Sequence, residues 1–243
     1  MTRPLVTATA IYLALQSTSL MAATILIPTA SEWASWPEYC RAKYTYMRSE
    51  VAAQFTPTIS QGVITTYESA WGPAGVYIHH HCMSLEYWQR ANLALTSRDR
   101  KEALREAISE SLFTFTRIPT QLPIYAEIAT HLGTVARAQG DIDSATRYFN
   151  IARDTHPDYP GGYQGLALLR EDKHDYEGAR EILLEGNKAT GGTSPEIHYF
   201  LGLIYLKLKN LDEASIHAKR AYELGYPLQG LRRQLDAAGR PLT

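Results

Sequence analysis

The densest group of side chains that could perform chemistry is the run His79-His80-His81-Cys82. Imidazole nitrogens and a thiolate sulfur are ligands that zinc and other soft divalent metals prefer. Consecutive residues on a regular helix cannot all face one ion, so a metal site would need further ligands, such as Cys40 or Glu38. The sequence contains no Cys-x-x-Cys pair, no His-Glu-x-x-His motif and no haem-attachment motif. These observations favour a disulfide with nearby structural histidines over a metal site, and no cofactor is expected.

The sequence contains no recognisable catalytic motif. Cys82 beside a histidine could form a nucleophile–base pair, but sequence neighbours rarely have that geometry, and a disulfide would consume the thiol. The chain has no phosphate-binding loop, nucleophile elbow or Rossmann glycine run. We therefore predict a protein that is not an enzyme and has no catalytic residues.

The N-terminal segment has the character of an export signal. Arg3 is its only charge, and the residues from Leu5 to Ala23 are apolar or small. A weakly basic start followed by an apolar run is typical of a secretory signal peptide. We predict that residues 1–23 are removed and that the mature protein is periplasmic or secreted, with no membrane span. An uncleaved anchor helix is the alternative, although the polar stretch from Gln16 to Ser19 is poor for spanning a bilayer.

Cys40 and Cys82 are the only cysteines of the chain. An exported protein meets an oxidising compartment, where an even pair of cysteines tends to form a disulfide. We predict a Cys40–Cys82 bridge, which would close a loop of about 40 residues and stabilise the fold by roughly 3–4 kcal/mol in the chain-entropy model. Two buried free thiols or a metal site are the alternatives.

The C-terminal half of the chain repeats. Leu132-Gly133 returns 34 residues later as Leu166-Ala167 and, after 35 more, as Leu201-Gly202. A second small residue follows the first by 12 residues in each copy, at Ala145, Ala179 and Ala214. Small residues at both places let two helices of a pair cross closely, and one pair alone is too short to bury its apolar face. The period therefore predicts stacked helix pairs.

Additional residues recur at fixed places in the copies. The first copy carries Leu132-Gly133, Ala136, Ala145, Phe149, Ala152 and Pro157, and the third carries Leu201-Gly202, Tyr205, Ala214 and Ala221. The middle copy departs from the pattern at Gly186 and Gly191. This pattern resembles the motif of the tetratricopeptide repeat family over the stretch from Ala126 to Pro227. The resemblance implies an all-α solenoid of helical hairpins that binds another protein.

Two further segments extend the predicted repeat array. Residues 79–123 are predicted to form a divergent first helix pair, because Ala91 and Ala103 have the same 12-residue separation as the small residues of the repeats. Residues 124–243 are predicted to hold three repeats and a C-terminal capping helix, in which Leu231 and Leu235 share one face.

Residues 24–78 are predicted to form an irregular N-terminal segment, in which Pro37 marks a helix start and the stretch from Arg41 to Phe55 could be helical. Gly62, Gly72 and Gly75, together with two prolines, indicate a long loop over residues 56–77. A disulfide would hold this segment to the first helix pair.

A concave groove is the predicted partner site. Residues that flank the packing positions on the first helix of each repeat should point into it: Glu127, Thr130, Thr134, Arg137, Gln164, Leu168, Glu171, Glu196, Tyr199, Leu203 and Leu206. The groove becomes apolar toward the third repeat and suits a helix or an extended peptide. Family members that grip a C-terminal carboxylate use Lys and Asn where this chain has Thr130 and Thr134, so that function is not expected. The alternative for Leu203 and Leu206 is packing against the capping helix.

The charge balance narrows the class of partner. The chain has 24 basic and 25 acidic residues, which gives no electrostatic footprint for nucleic acid or an anionic membrane. We predict a scaffold or adaptor that binds protein in the bacterial cell envelope, and similar exported tetratricopeptide proteins suggest pilus, secretion or outer-membrane assembly. The alternative is a metal-binding or redox-linked periplasmic protein that uses the His79–Cys82 cluster.

Overall fold

The computed structural model describes residues 27–47, 49–55 and 59–242, and every regular element in these ranges is helical. The all-α prediction is therefore confirmed for the described residues. The predicted signal peptide, residues 1–23, lies outside them.

The described part of the N-terminal segment is mostly helical: a helix begins after Pro37, as predicted, but the loop predicted over residues 56–77 is wrong where residues 59–77 are described. The segment contains α1 (Ala30–Ser35), α2 (Glu38–Tyr46), α3 (Glu50–Ala53), α4 (Gln61–Trp71) and a 3-10 helix (Gly72–Tyr77).

Helix α4 forms within the stretch that the glycines and prolines had marked as a loop. The Ser60 hydroxyl accepts a hydrogen bond from the Val63 amide and caps the helix. Ile64 and Trp71 are buried, and α4 packs against α2. Tertiary burial therefore outweighs the local turn signals.

The rest of the chain forms helix pairs. These are α5 (Ile78–Leu93) with α6 (Ser97–Phe115), α7 (Pro123–Gln139) with α8 (Ile142–Thr155), α9 (Gly161–Glu171) with α10 (Tyr176–Ala189), and α11 (Pro195–Lys207) with α12 (Leu211–Glu223). Each helix packs against the next one in the chain, and α13 (Gly230–Ala237) packs on α11 and α12 as the predicted cap.

The second helix of each repeat begins at a side-chain cap. The Asp141, Asp175 and Asn210 side chains accept hydrogen bonds from backbone amides three residues on, at 3.0, 2.9 and 3.2 Å. Asp141 and Asp175 are therefore the N-cap residues of α8 and α10.

The small residues mark the helix crossings, as the repeat pattern predicts. Ala145, Ala179 and Ala214 are fully buried. In the divergent first pair Ala107 is the first fully buried residue of α6, followed by Ser111 and Thr114, whereas Ala103 is only half-buried. The crossing therefore lies one helical turn further along α6 than the 12-residue rule places it.

Candidate partner-binding groove

The residues predicted to line the groove lie on the first helices α7, α9 and α11. All of them are half-buried except Tyr199, which is buried. A stripe of half-buried side chains along successive first helices is the surface that a partner could reach without unfolding the array. We call this set of residues the groove face.

The N-terminal helices reach the first part of the groove face. Tyr39 of α2 donates a hydrogen bond from its hydroxyl to Glu127 Oε1 of α7 at 2.5 Å. Burial raises the pKa of Tyr39, and the Glu127 carboxylate raises it further. Burial also raises the pKa of Glu127, while the Tyr39 hydrogen bond acts in the opposite direction. Sequence reasoning missed Tyr39, because nothing local indicates a contact between residues 88 positions apart.

Next to this contact, the loop between α8 and α9 brings Tyr159 onto Thr130. A Cβ added to Gly161 would lie 2.5 Å from Tyr159 Cε1 and 2.8 Å from Thr130 Oγ1, so only glycine leaves room for this approach. Thr134, one turn along α7, donates its hydroxyl to the Thr130 carbonyl at 2.9 Å. Of the predicted threonines, Thr130 therefore faces Tyr159, and Thr134 is bonded to its own helix.

An ion pair joins the first two repeats at the other edge of the groove face. Arg137 makes two hydrogen bonds of 2.6 Å to the Asp172 carboxylate. The Arg137 hydrogen bond lowers the pKa of Asp172, and the Asp172 carboxylate raises the pKa of Arg137. Arg137 is therefore already paired.

Helix α9 leaves three predicted residues without such a partner. Leu168 and Glu171 are half-buried, and the Glu171 carboxylate accepts no hydrogen bond among the described residues. The Gln164 amide nitrogen is buried and also has no hydrogen-bond partner in this part of the chain. A buried donor without an acceptor is costly, so a rotation that turned the Gln164 amide out of the interior would be favourable.

The third repeat differs from the prediction. Tyr199 stacks on Tyr226 with ring centroids 4.2 Å apart, and Leu203 and Leu206 pack against the cluster that contains Leu231 and Leu235 of the cap. The apolar end of the predicted groove is thus covered by α13, because a repeat array must bury its last apolar face. The accessible part of the groove face is polar and aromatic.

The His79–Cys82 cluster is distributed over several environments. Cys82 is bonded to Cys40, which joins α5 to α2. His79 lies against the Val76 carbonyl at 2.9 Å, while His80 contacts Glu110 at 2.5 Å. In the described residues, no three His, Cys, Asp or Glu side chains are grouped as a metal site requires.

His81 belongs to a buried network between α5, α6 and α7. Its Nδ1 lies 3.1 Å from Ser111 Oγ, Ser111 donates to Ser84 Oγ at 2.9 Å, and Ser84 Oγ lies 2.8 Å from His131 Nε2. Burial lowers the pKa of His81 well below its ordinary value and that of His131 to about 4. The network therefore holds neutral imidazoles that link three helices.

A serine beside a histidine is also the arrangement of a nucleophile and its base. Here the Ser84 hydroxyl donates to the Ala107 carbonyl at 2.5 Å. His131 Nε2 must then carry the proton that it shares with Ser84, and a protonated Nε2 cannot accept the serine proton. Ser84 is also fully buried, so the geometry describes a structural bond between helices.

Among the described residues, no helix is both long enough and apolar enough to cross a bilayer.

Comparison with known proteins identifies one repeat directly. The family model described as tetratricopeptide repeat matches residues 195–224, which contain α11 and α12. No curated protein matches the chain.

Solved structures that resemble the chain include a MamA protein, at 15% identity, covering 82% of this chain and 98% of MamA with a TM-score of 0.45. Another is TTC0263, a thermophilic tetratricopeptide protein of Thermus thermophilus, at 17% identity, covering 70% of this chain and 97% of the other with a TM-score of 0.44.

Proposed function

We propose that the chain, one of whose helix pairs matches the tetratricopeptide repeat model, is a non-catalytic scaffold or adaptor that holds a protein partner on its groove face, in the bacterial cell envelope. Proteins of this family generally act as protein-binding scaffolds. The observation that carries the proposal is the stripe of half-buried, mostly polar side chains along α7 and α9, continued on α11 by Glu196, beside crossings that are fully buried.

The envelope location rests on two features. The apolar run from Leu5 to Ala23 is typical of an export signal. The Cys40–Cys82 bridge is the kind of bond that persists in an oxidising compartment. Assembly of pili, secretion machinery or the outer membrane is the class of process in which such an adaptor would serve.

Site-specific photo-crosslinking tests the groove. A photoreactive residue would replace Leu168 on the groove face, or Leu184 on α10 as the control, since Leu184 is 40% exposed and lies on a second helix. In cells, Leu168 should yield a discrete protein adduct and Leu184 should not. Adducts of equal intensity from both positions, or none from Leu168, would refute groove binding.

A variant in which Tyr199 and Leu203 are replaced cannot test groove binding, because both residues belong to the cluster under the cap. Their loss would lower the stability of the array whether or not a partner binds.

Mass spectrometry of the natively expressed protein tests the envelope location. Protein recovered from the periplasm should lack about 23 residues and should gain two hydrogens on reduction. A full-length protein with free thiols in the cytoplasm would contradict it.

A further inference from the structure

Five tyrosines lie along the groove face. Tyr39 and Tyr67 come from the N-terminal helices, and their rings are 6.2 Å apart in an edge-to-face arrangement. Tyr159 lies against Thr130 at the start of α9, and Tyr199 and Tyr226 stack at the cap end. All except Tyr199 are half-buried. We call these five residues the tyrosine strip.

Two carboxylates are set into the tyrosine strip. Glu127 receives the Tyr39 hydroxyl, and Glu196 receives the Ser194 hydroxyl at 2.9 Å. Burial raises the pKa of Tyr159, and the charges of both glutamates raise it further, so both lie within electrostatic reach of this one ring. The pKa of Tyr226 is raised first by burial and then by the charges of Tyr199 and Glu196.

No basic side chain balances these two carboxylates. Among the described residues, neither Glu127 nor Glu196 forms an ion pair with Lys, Arg or His. Arg137, which lies on the same helix as Glu127, is bonded to Asp172. A partly buried carboxylate that is held only by hydroxyl donors can gain a charge-assisted hydrogen bond from a cation that another molecule supplies.

The chemistry of the tyrosine strip selects one kind of ligand. Aromatic faces attract ammonium and guanidinium groups, carboxylates pair with them through charge-assisted hydrogen bonds, and an acidic segment would be repelled.

We propose that the groove face recognises a segment of its protein partner that carries arginine or lysine side chains, which pair with Glu127 and Glu196 among the rings of the tyrosine strip. This inference rests on the proposed function and specifies the chemistry of the partner. Arginine suits the site best, because its planar group both stacks on tyrosine and bonds carboxylates in two places.

The test uses labelled hexa-arginine, with hexa-citrulline as its uncharged analogue, and measures binding by fluorescence anisotropy. The double variant Glu127→Gln/Glu196→Gln is compared with Glu181→Gln/Glu185→Gln, which has the same net charge and alters two exposed residues of α10. The wild type and the α10 variant should bind hexa-arginine equally, and the groove variant should bind at least about tenfold more weakly. Hexa-citrulline should not bind.

Stability measurements exclude a merely structural role. Glutamine at position 127 can still accept the Tyr39 hydroxyl, so thermal unfolding of Glu127→Gln should not occur at a lower temperature than that of the wild type. Glu196→Gln alone, at a half-buried site, should weaken binding several-fold without unfolding the protein. Equal hexa-arginine affinity of the groove and α10 variants, or no binding by the wild type, would overturn the proposal.

Crosslinking separates this inference from the proposed function. A protein adduct at position 168 that persists in the Glu127→Gln/Glu196→Gln variant would leave the scaffold function intact and refute the cationic ligand. Loss of the adduct in that variant but not in the α10 variant would support both.

Discussion

The packing around Phe149 makes Gly165 the position where one added methyl group should do the most damage. A Cβ on Gly165 would lie 2.1 Å from Cδ1 and 2.2 Å from Cε1 of the Phe149 ring, whereas ordinary carbon contacts are about 3.5–4.0 Å. The ring is 1% exposed. It also meets Gly133, where an added Cβ would lie 2.6 Å from Cε1. The ring is therefore held between α7 and α9. It would have to move by more than about 1 Å to admit the added methyl group, and the packed interior leaves no free space for that movement.

Overpacking of this kind costs about 1–3 kcal/mol, occasionally more, and the better helix propensity of alanine returns up to about 1 kcal/mol. We expect Gly165→Ala to lower the free energy of unfolding by about 2 kcal/mol, which corresponds to about 4–8 °C in Tm. Urea unfolding followed by circular dichroism measures the loss. Gly62→Ala is the control, because no atom lies within 4 Å of its added Cβ, and its stability should be unchanged or about 0.5 kcal/mol higher.

Two results decide whether the clash is the cause. Gly165→Ala combined with Phe149→Leu should lose less stability than the sum of the single changes, since the smaller side chain relieves the contact. A Gly165→Ala protein that unfolds at or above the urea midpoint of the wild type would refute the packing argument.

Three further results are expected. Replacing Cys40 and Cys82 together by serine should lower the free energy of unfolding by about 4 kcal/mol, because the bridge spans 42 residues, and equal urea midpoints would contradict this. Burial lowers the pKa of His131 to about 4, so below about pH 6.5 the unfolded chain binds more protons than the folded chain does. The free energy of unfolding should therefore fall as the pH drops toward 4. In urea titrations at each pH, His131→Gln should flatten that fall. Leu231→Ala should cost about 2–5 kcal/mol, because this cap residue is fully buried, and an unchanged Tm would refute it.

The repeat array was predictable because its information is local and periodic. The positions of Gly133 and Ala145 reveal a helix crossing through their 12-residue separation alone. Asp141 and Asp175 reveal helix starts, because a cap depends only on the next three residues. Such features need no knowledge of distant parts of the chain.

Helix α4 could not be predicted in the same way. Gly62 and Gly72 indicate a turn on propensity grounds, but the described part of that stretch is helical because Trp71 is buried at the core. The contact of Tyr39 with Glu127 joins residues 88 apart, and the cover over Leu203 depends on where α13 packs. Periodicity shows which face of a helix a residue occupies, but it does not show what lies against that face.

Helix α2 closes the N-terminal end of the array and also contacts the groove face. Cys40 and Tyr44 are buried in the core that seals the first helix pair, whereas the neighbouring Tyr39 turns to Glu127 on α7. Docking of α2 covers the Glu127 carboxylate of α7, and this burial raises its pKa. The carboxylate accepts the Tyr39 hydroxyl, but that hydrogen bond leaves its negative charge without a cation among the described residues. The cationic ligand that we propose would supply that charge at Glu127, and α2 would then serve both the stability of the solenoid and its recognition of a partner.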